Sequence, residues 1–80
     1  MIKLIKMPKL SPNMQNGVIV SWSKQPGETV KKGDALFEVE TDKVISEIES
    51  LDDGKLKNIL FDEGDSVKVD EAVAEFETIE

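Results

Sequence analysis

The sequence predicts an all-β protein, a small sandwich or barrel built from two related halves. Its glycines bound apolar runs of about five or six residues, which are too short for helices. No window keeps an apolar stripe at helical spacing over three turns. An internal repeat with an offset of 37 residues relates positions 17–41 to 54–78, and eight of these 25 positions are identical. A solenoid needs about three copies or more, so two copies predict two halves related by a pseudo-two-fold axis.

Candidate strands follow the apolar runs in order along the chain. They are Ile2–Met7, Val18–Trp22, Ala35–Glu40, Val44–Glu49, Lys55–Ile59 and Ala72–Thr78, with a short strand near Val67. The segment Leu10–Asn16 is predicted to be a polar loop. Residues 62–65 lack the ligand spacing of a calcium loop and align with residues 25–28, so they are predicted to form a turn. Trp22 is expected at the edge of the core.

Lys43 is the only basic residue in a long acidic stretch. Seven Asp or Glu residues lie between positions 38 and 53. If Asp42 and Lys43 form a two-residue turn, Phe37 pairs with Ile48 and Val39 pairs with Ser46, so the apolar faces of the two strands coincide. Asp-Lys is not the Asn-Gly or Asp-Gly that such turns prefer. A lysine at the tip of a rigid hairpin suits the carrier of a covalently attached group.

The repeat separates Lys43 from the scaffold. After Thr41 the first copy continues through Asp42 and Lys43, whereas after Thr78 the second copy continues through Ile79 and Glu80. The scaffold is therefore duplicated and the lysine is not. Such an asymmetry is expected of a functional residue placed on a symmetric fold.

Composition excludes several classes of function. The 80 residues include no His, Cys, Tyr or Arg, which removes the usual general base, the thiol nucleophile and a zinc site. A free-standing enzyme is therefore not expected. The net charge of −7 opposes binding to nucleic acid or anionic membranes. No apolar stretch is long enough to span a bilayer, and residues 1–6 do not resemble a signal peptide.

Taken together, these segments resemble the lipoyl domain of 2-oxo acid dehydrogenase complexes. The resemblance covers essentially the whole chain, and the order and spacing of the segments make it specific. In that family a two-fold flattened β-barrel carries lipoate in amide linkage on the lysine of the hairpin turn, which is Lys43 here. The matching segments are Met7-Pro8-Lys9-Leu10-Ser11-Pro12, Gly17–Trp22, Pro26-Gly27-Glu28-Thr29-Val30, Lys32-Gly33-Asp34 and Glu40-Thr41-Asp42-Lys43-Val44.

The resemblance implies a swinging-arm mechanism. A lipoate ligase or lipoyl synthase would supply the lipoyl group. A thiamin-diphosphate decarboxylase component would reductively acylate it, an acyltransferase domain would pass the acyl group to coenzyme A, and dihydrolipoyl dehydrogenase would reoxidise the dithiol. Tethering makes these encounters intramolecular and raises the effective concentration. The opening Met-Pro-Lys-Leu-Ser-Pro is most similar to pyruvate- or acetoin-type acyltransferase components. A Val after the lysine, as at Val44, is also common in the 2-oxoglutarate and acetoin types, which leaves the choice of complex open.

The resemblance also implies which residues surround the site. Glu40, Thr41, Asp42 and Val44 would flank the lipoyl lysine. In lipoyl domains the loop equivalent to Leu10–Asn16 lies beside the lipoyl turn and helps partner enzymes recognise the domain. Here its recognition residues would be Ser11, Pro12, Asn13, Met14 and Gln15, with Asn13, Met14 and Gln15 expected to be exposed.

Several expectations about context follow. Residues 1–80 are expected to form one monomeric lipoyl carrier domain, the N-terminal domain of a longer acyltransferase chain. The expected location is the bacterial cytoplasm, or the mitochondrial matrix in a eukaryote. The competing function is a biotin carrier domain of a carboxylase, whose modified lysine usually lies in Met-Lys-Met rather than between Asp and Val. A third hypothesis, an unmodified interaction module, leaves the asymmetry at Lys43 unexplained.

Overall fold

The computed structural model describes residues 1–42 and 44–78, and the regular structure within them is β-strand. Lys43 lies outside the described residues, as do residues 79–80. The strands are β1 (Ile2–Lys6), β2 (Asn16–Trp22), β3 (Thr29–Val30), β4 (Ala35–Glu40), β5 (Ile45–Glu49), β6 (Gly54–Ile59), β7 (Ser66–Lys68) and β8 (Ala72–Thr78). They form two antiparallel four-stranded sheets, which confirms the predicted sandwich or flattened barrel.

The two sheets repeat each other strand for strand. The first sheet has the order β1-β8-β6-β3 and the second has the order β5-β4-β2-β7. Strands β2, β3 and β4 belong to the first copy of the repeat, and β6, β7 and β8 are their equivalents. The irregularity in the β2–β4 pairing lies between Ile19 and Ser21, and that in the β6–β8 pairing lies between Leu56 and Asn58, at equivalent positions. The predicted pair of related halves is confirmed.

The core lies between the two sheets and consists of the side chains that point inward, which alternate with outward-pointing side chains along the strands. In β4, for example, Phe37 and Val39 are buried while Glu40 is exposed. Trp22 lies at the core edge as predicted, with its ring centroid 4.8 Å from that of Phe37 and its Nε1 donating to the carbonyl of Phe61 at 2.9 Å. The buried apolar residues are Met7, Met14, Ile19, Trp22, Val30, Leu36, Phe37, Val39, Leu56, Val67, Val73, Ala74 and Phe76.

The turns after β2 and β6 tie the two halves together. Gly27 and Gly64 both have positive φ angles, 94° and 91°, which glycine adopts without steric cost. The amide of Gly27 donates to the carbonyl of Leu56, and the amide of Gly64 donates to the carbonyl of Ile19, each at 2.7 Å. The amide of Asp65 donates to the carbonyl of Asp62 at 3.1 Å, so residues 62–65 form a turn, as predicted.

One strand was not predicted from the sequence, and several strands begin or end at other residues than predicted. The missed strand is β3, which has only two residues, although its repeat equivalent near Val67 was predicted. Strand β2 begins at Asn16 rather than Val18, and β6 begins at Gly54 rather than Lys55. Strand β1 ends at Lys6, one residue early, and β5 begins at Ile45 because Val44 lies in the hairpin turn.

Candidate carrier site

The candidate site is the hairpin formed by β4 and β5. Its register pairs Phe37 with Ile48 and Val39 with Ser46, as the two-residue turn predicted. At the end of the hairpin the amide of Thr41 donates to the carbonyl of Val44 at 2.9 Å, and the Thr41 hydroxyl donates to the same oxygen at 3.3 Å. These two bonds close the turn at the end of the hairpin, between Thr41 and Val44.

The predicted flanking residues come together around this turn. Glu40 pairs with Ile45 as the last rung of the hairpin, and both side chains are exposed. Asp42 is exposed, and Val44 is 52% exposed although it is apolar. The attachment position itself, Lys43, falls outside the described residues, so its assignment stays a prediction.

The loop before β2 lies at the same end of the sheet as this turn. Val18 pairs with Glu40, so β2 begins where β4 ends. The amide of Met14 donates to the carbonyl of Ser11 at 3.1 Å and closes a turn over residues 11–14. The amide of Val69 donates to the carbonyl of Gln15 at 3.0 Å, which fixes the end of the loop. The predicted recognition segment is therefore a structured neighbour of the hairpin turn.

The expected exposure of Met14 is wrong. Ser11, Pro12, Asn13 and Gln15 are exposed, but Met14 is only 8% exposed and belongs to the core. Its thioether sulfur accepts the amide of Leu10 at 3.1 Å. The physical reason is Gly17, which has no side chain and so leaves room for Met14 beneath the loop.

The hairpin also contains a repulsive pair of carboxylates, which was not predicted. Glu38 and Glu47 lie directly opposite each other on β4 and β5, and like charges in that position are destabilising. The Ser21 hydroxyl donates to Glu38 at 3.0 Å. Neither β4 nor β5 contains a lysine. The register predicted from the two-residue turn would have revealed this pair, because it places residue 38 across from residue 47.

Asp34, which lies just before β4 and away from this turn, has a lowered pKa. The amide of Lys31 donates to the Asp34 carboxylate at 2.9 Å, and this bond, helped by the nearby Lys24, holds the pKa of Asp34 below its usual value. Asp34 thus stabilises the turn that leads into β4. The described residues contain no group of three or more acidic side chains placed to hold a metal ion.

Comparison with known proteins identifies the family. The Biotin_lipoyl family profile, described as "Biotin-requiring enzyme", matches residues 3–76. The chain is similar to the lipoyl domain of the 2-oxoglutarate dehydrogenase complex from Azotobacter vinelandii, with a TM-score of 0.78 and 34% identity, covering 92% of this chain and 94% of that one.

Two longer proteins are also similar. One is the mitochondrial pyruvate dehydrogenase complex protein X component of Saccharomyces cerevisiae, 50% identical over 91% of this chain and 18% of that protein. The other is the dihydrolipoyllysine-residue succinyltransferase component of the 2-oxoglutarate dehydrogenase complex of Staphylococcus saprophyticus, 44% identical over 88% of this chain and 16% of that protein. The chain therefore spans less than a fifth of the length of either.

The β-sandwich of two four-stranded sheets, with its closed hairpin between β4 and β5, is the scaffold of a carrier domain, which presents a covalently attached group. With the profile match and the similarity along nearly the whole of a solved lipoyl domain, the chain belongs to the biotin/lipoyl carrier family and is a lipoyl domain within it. Domains of this class carry lipoate on a lysine. Among the described residues there is no helix that could cross a membrane.

Proposed function

We propose that Lys43 bears the lipoyl group and that this domain carries acyl groups between the components of a 2-oxo acid dehydrogenase complex. The observation that supports the proposal is the hairpin turn closed by the bonds from Thr41 to Val44, because Lys43 lies between these two residues in the sequence. The other nine lysines lie on strands or other loops, and none has a comparable position in the repeat. The exposed flanks at Asp42 and Val44 leave room for an enzyme to approach.

The described residues fit such a group well. Lipoate in amide linkage supplies a disulfide that accepts an acyl group and two electrons. The hairpin has only to present it, because the Thr41 bonds fix the turn and the apolar faces of β4 and β5 anchor it in the sandwich. The exposed carboxylates of Glu40 and Asp42 give the turn a negatively charged surface that a partner enzyme can recognise.

The partners follow from this role. They are a thiamin-diphosphate decarboxylase component, an acyltransferase catalytic domain, dihydrolipoyl dehydrogenase and a lipoate ligase or lipoyl synthase. Similarity to proteins of both the pyruvate and the 2-oxoglutarate complexes supports the general role. The opening Met7-Pro8-Lys9-Leu10-Ser11-Pro12 favours a pyruvate or acetoin decarboxylase as the cognate partner.

We further propose that the decarboxylase recognises the loop of residues 11–15. The connection from β1 to β2 has nine residues, 7–15, whereas its equivalent from β5 to β6 has four, 50–53. The longer connection lies at the same end of the sheet as the hairpin turn. The long connection from β1 to β2 and the hairpin turn are two places where the halves differ, and they thus lie close together. That proximity supports a shared function for the exposed residues Ser11, Pro12, Asn13 and Gln15 and the turn.

The domain is proposed to be part of a longer acyltransferase chain, since the relatives it matches are several times its length. Its location would be the cytoplasm of a bacterium or the mitochondrial matrix of a eukaryote, in line with the mitochondrial and bacterial relatives.

Intact mass spectrometry tests the attachment site. The protein is produced in cells supplied with lipoate or with biotin, as wild type and as Lys43→Arg, with Lys68→Arg as a control for an exposed lysine elsewhere. We expect lipoate on the wild type and on Lys68→Arg, and none on Lys43→Arg. Biotin on the wild type would favour the carboxylase alternative. Lipoate on Lys43→Arg would contradict the assignment.

A further inference from the structure

Met14 links the loop of residues 11–15 to the strand that leads into the hairpin turn. A side-chain Cβ built on Gly17 would lie 2.6 Å from Cγ1 of Val39 and 2.9 Å from Cε of Met14. The two side chains therefore converge on the space that Gly17 leaves open. Val39 is the last buried residue of β4, two residues before Thr41. The Met14 side chain thus reaches from the loop to the base of the turn.

The pseudo-symmetric half shows that this contact is not required by the fold. Gly54 is the equivalent of Gly17, and a Cβ there would meet the ring of Phe76, the equivalent of Val39, at 2.9 Å. Leu51 lies three residues before Gly54, as Met14 lies three residues before Gly17, and it is 80% exposed. One half of the sandwich therefore forms without a buried side chain at this position. The insertion of Met14 is confined to the half that carries the hairpin turn.

The remaining contacts make the loop depend on this side chain. Met7, at the start of the connection, is fully buried, and its carbonyl accepts the amide of Asp70 at 3.0 Å. Between Met7 and Met14 the residues are exposed or only half-buried. Loop residue Leu10 is held by the bond from its amide to the Met14 sulfur. Removing that side chain frees the middle of the loop while both ends stay attached.

We propose that Met14 is a positioning residue for acyl loading, because its buried side chain holds the recognition loop in a fixed place relative to the lipoyl turn. This inference rests on the proposed function of the loop and of Lys43. A partner enzyme that contacts loop and turn together needs both at one spacing, and small misplacements of bound groups reduce rates strongly. The Met14 side chain then acts on recognition by the decarboxylase without touching it.

The test compares the lipoylated variants Met14→Ala, Met14→Leu and Leu56→Ala as substrates of the decarboxylase. Leu56→Ala is the matched control, since it truncates a fully buried side chain of the other sheet. The readouts are the KM for the domain, kcat, and the backbone amide shifts of residues 11, 13–15, 41, 42 and 44. Met14→Val against Val30→Ala repeats the comparison with milder truncations, so a variant that fails to fold does not end the test.

We expect Met14→Ala to raise the KM about tenfold with kcat little changed, to move the amide shifts of Thr41 and Val44, and to be rescued by Met14→Leu. The control should leave the KM within about twofold, because it does not disturb the loop. An unchanged KM for Met14→Ala, or an equal rise for Leu56→Ala, would overturn the inference. Failure of the wild type itself to accept an acyl group would instead overturn the proposed function, and the amide shifts would still test the coupling of loop and turn.

Discussion

Thr41 and Thr78 make the same pair of hydrogen bonds in the two halves of the molecule. Thr41 donates its amide and hydroxyl to the carbonyl of Val44 at 2.9 and 3.3 Å, and Thr78 donates the same groups to the carbonyl of Met1 at 2.9 and 3.2 Å. The two threonines are equivalent in the repeat. One arrangement closes the hairpin turn, and the other joins the ends of β8 and β1.

The two arrangements lie at different ends of the sandwich. Ala72, at the start of β8, is close to the loop and the hairpin turn, because the residues just before it bond to Met7 and Gln15. Six residues of extended strand then carry the chain about 20 Å to Thr78. The fold thus stabilises both strand ends in the same way, with a lysine inserted at only one of them. We therefore expect the proposed function of Lys43 to be separable from folding.

The two equivalent glycines are expected to tolerate alanine differently. A Cβ on Gly54 would meet the backbone carbonyl of Glu77, whereas on Gly17 it would meet the side chains of Val39 and Met14. Because side chains can shift and a paired strand cannot, Gly17→Ala should cost about 1–3 kcal/mol and Gly54→Ala more. Urea unfolding of both variants measures the difference. Equal unfolding midpoints would show that the β6–β8 pairing can move apart.

Much of this fold follows from local patterns in the sequence. The two-residue turn and the alternation in β4 and β5 fixed the register of the hairpin, because a slip by one residue would turn Phe37 and Val39 outward. The place of Met14 did not follow, since it depends on the absence of a side chain at Gly17 and on the distant strand β4. Strand β3 was missed because a run of two residues carries no periodicity. Lys43 was predicted to be the attachment site from its place in the acidic stretch, the hairpin register, the asymmetry of the repeat and the family resemblance, and not from a packing role.

Relieving the repulsion between Glu38 and Glu47 should stabilise the domain. Glu47→Gln removes one of two like charges on directly opposed residues, for an expected gain of about 0.2–1 kcal/mol. The control is Glu77→Gln, because Glu77 pairs with Ile2 and Lys55 and has no opposed carboxylate. Thermal unfolding at low and high salt tests this. A gain for Glu47→Gln that does not shrink with added salt would argue against a charge effect.

Asp34 should make the domain sensitive to acid. Its pKa is lowered in the folded state, chiefly by the bond from the Lys31 amide, so its charged form stabilises the fold above the unfolded pKa and this contribution is lost as pH falls through the folded pKa. Asp34→Asn should therefore be less stable than wild type at neutral pH, with the gap narrowing below about pH 4. Urea unfolding across this pH range measures the gap. A gap that stayed constant would mean that the bond, rather than the charge, stabilises the turn.

Partner recognition should depend on the exposed side chains of the loop. The variant Asn13→Ala with Gln15→Ala keeps Met14 in the core, so folding and lipoylation should survive, because exposed substitutions usually change stability by no more than about 0.5 kcal/mol. Loss of contacts to the decarboxylase should lower the rate of reductive acylation substantially.

The control, Gln25→Ala with Asn58→Ala, removes two exposed amides outside the loop. Acyl incorporation into fully lipoylated domains, checked by mass, gives the comparison. Equal rates for the two double variants would place recognition on the acidic hairpin rather than on this loop.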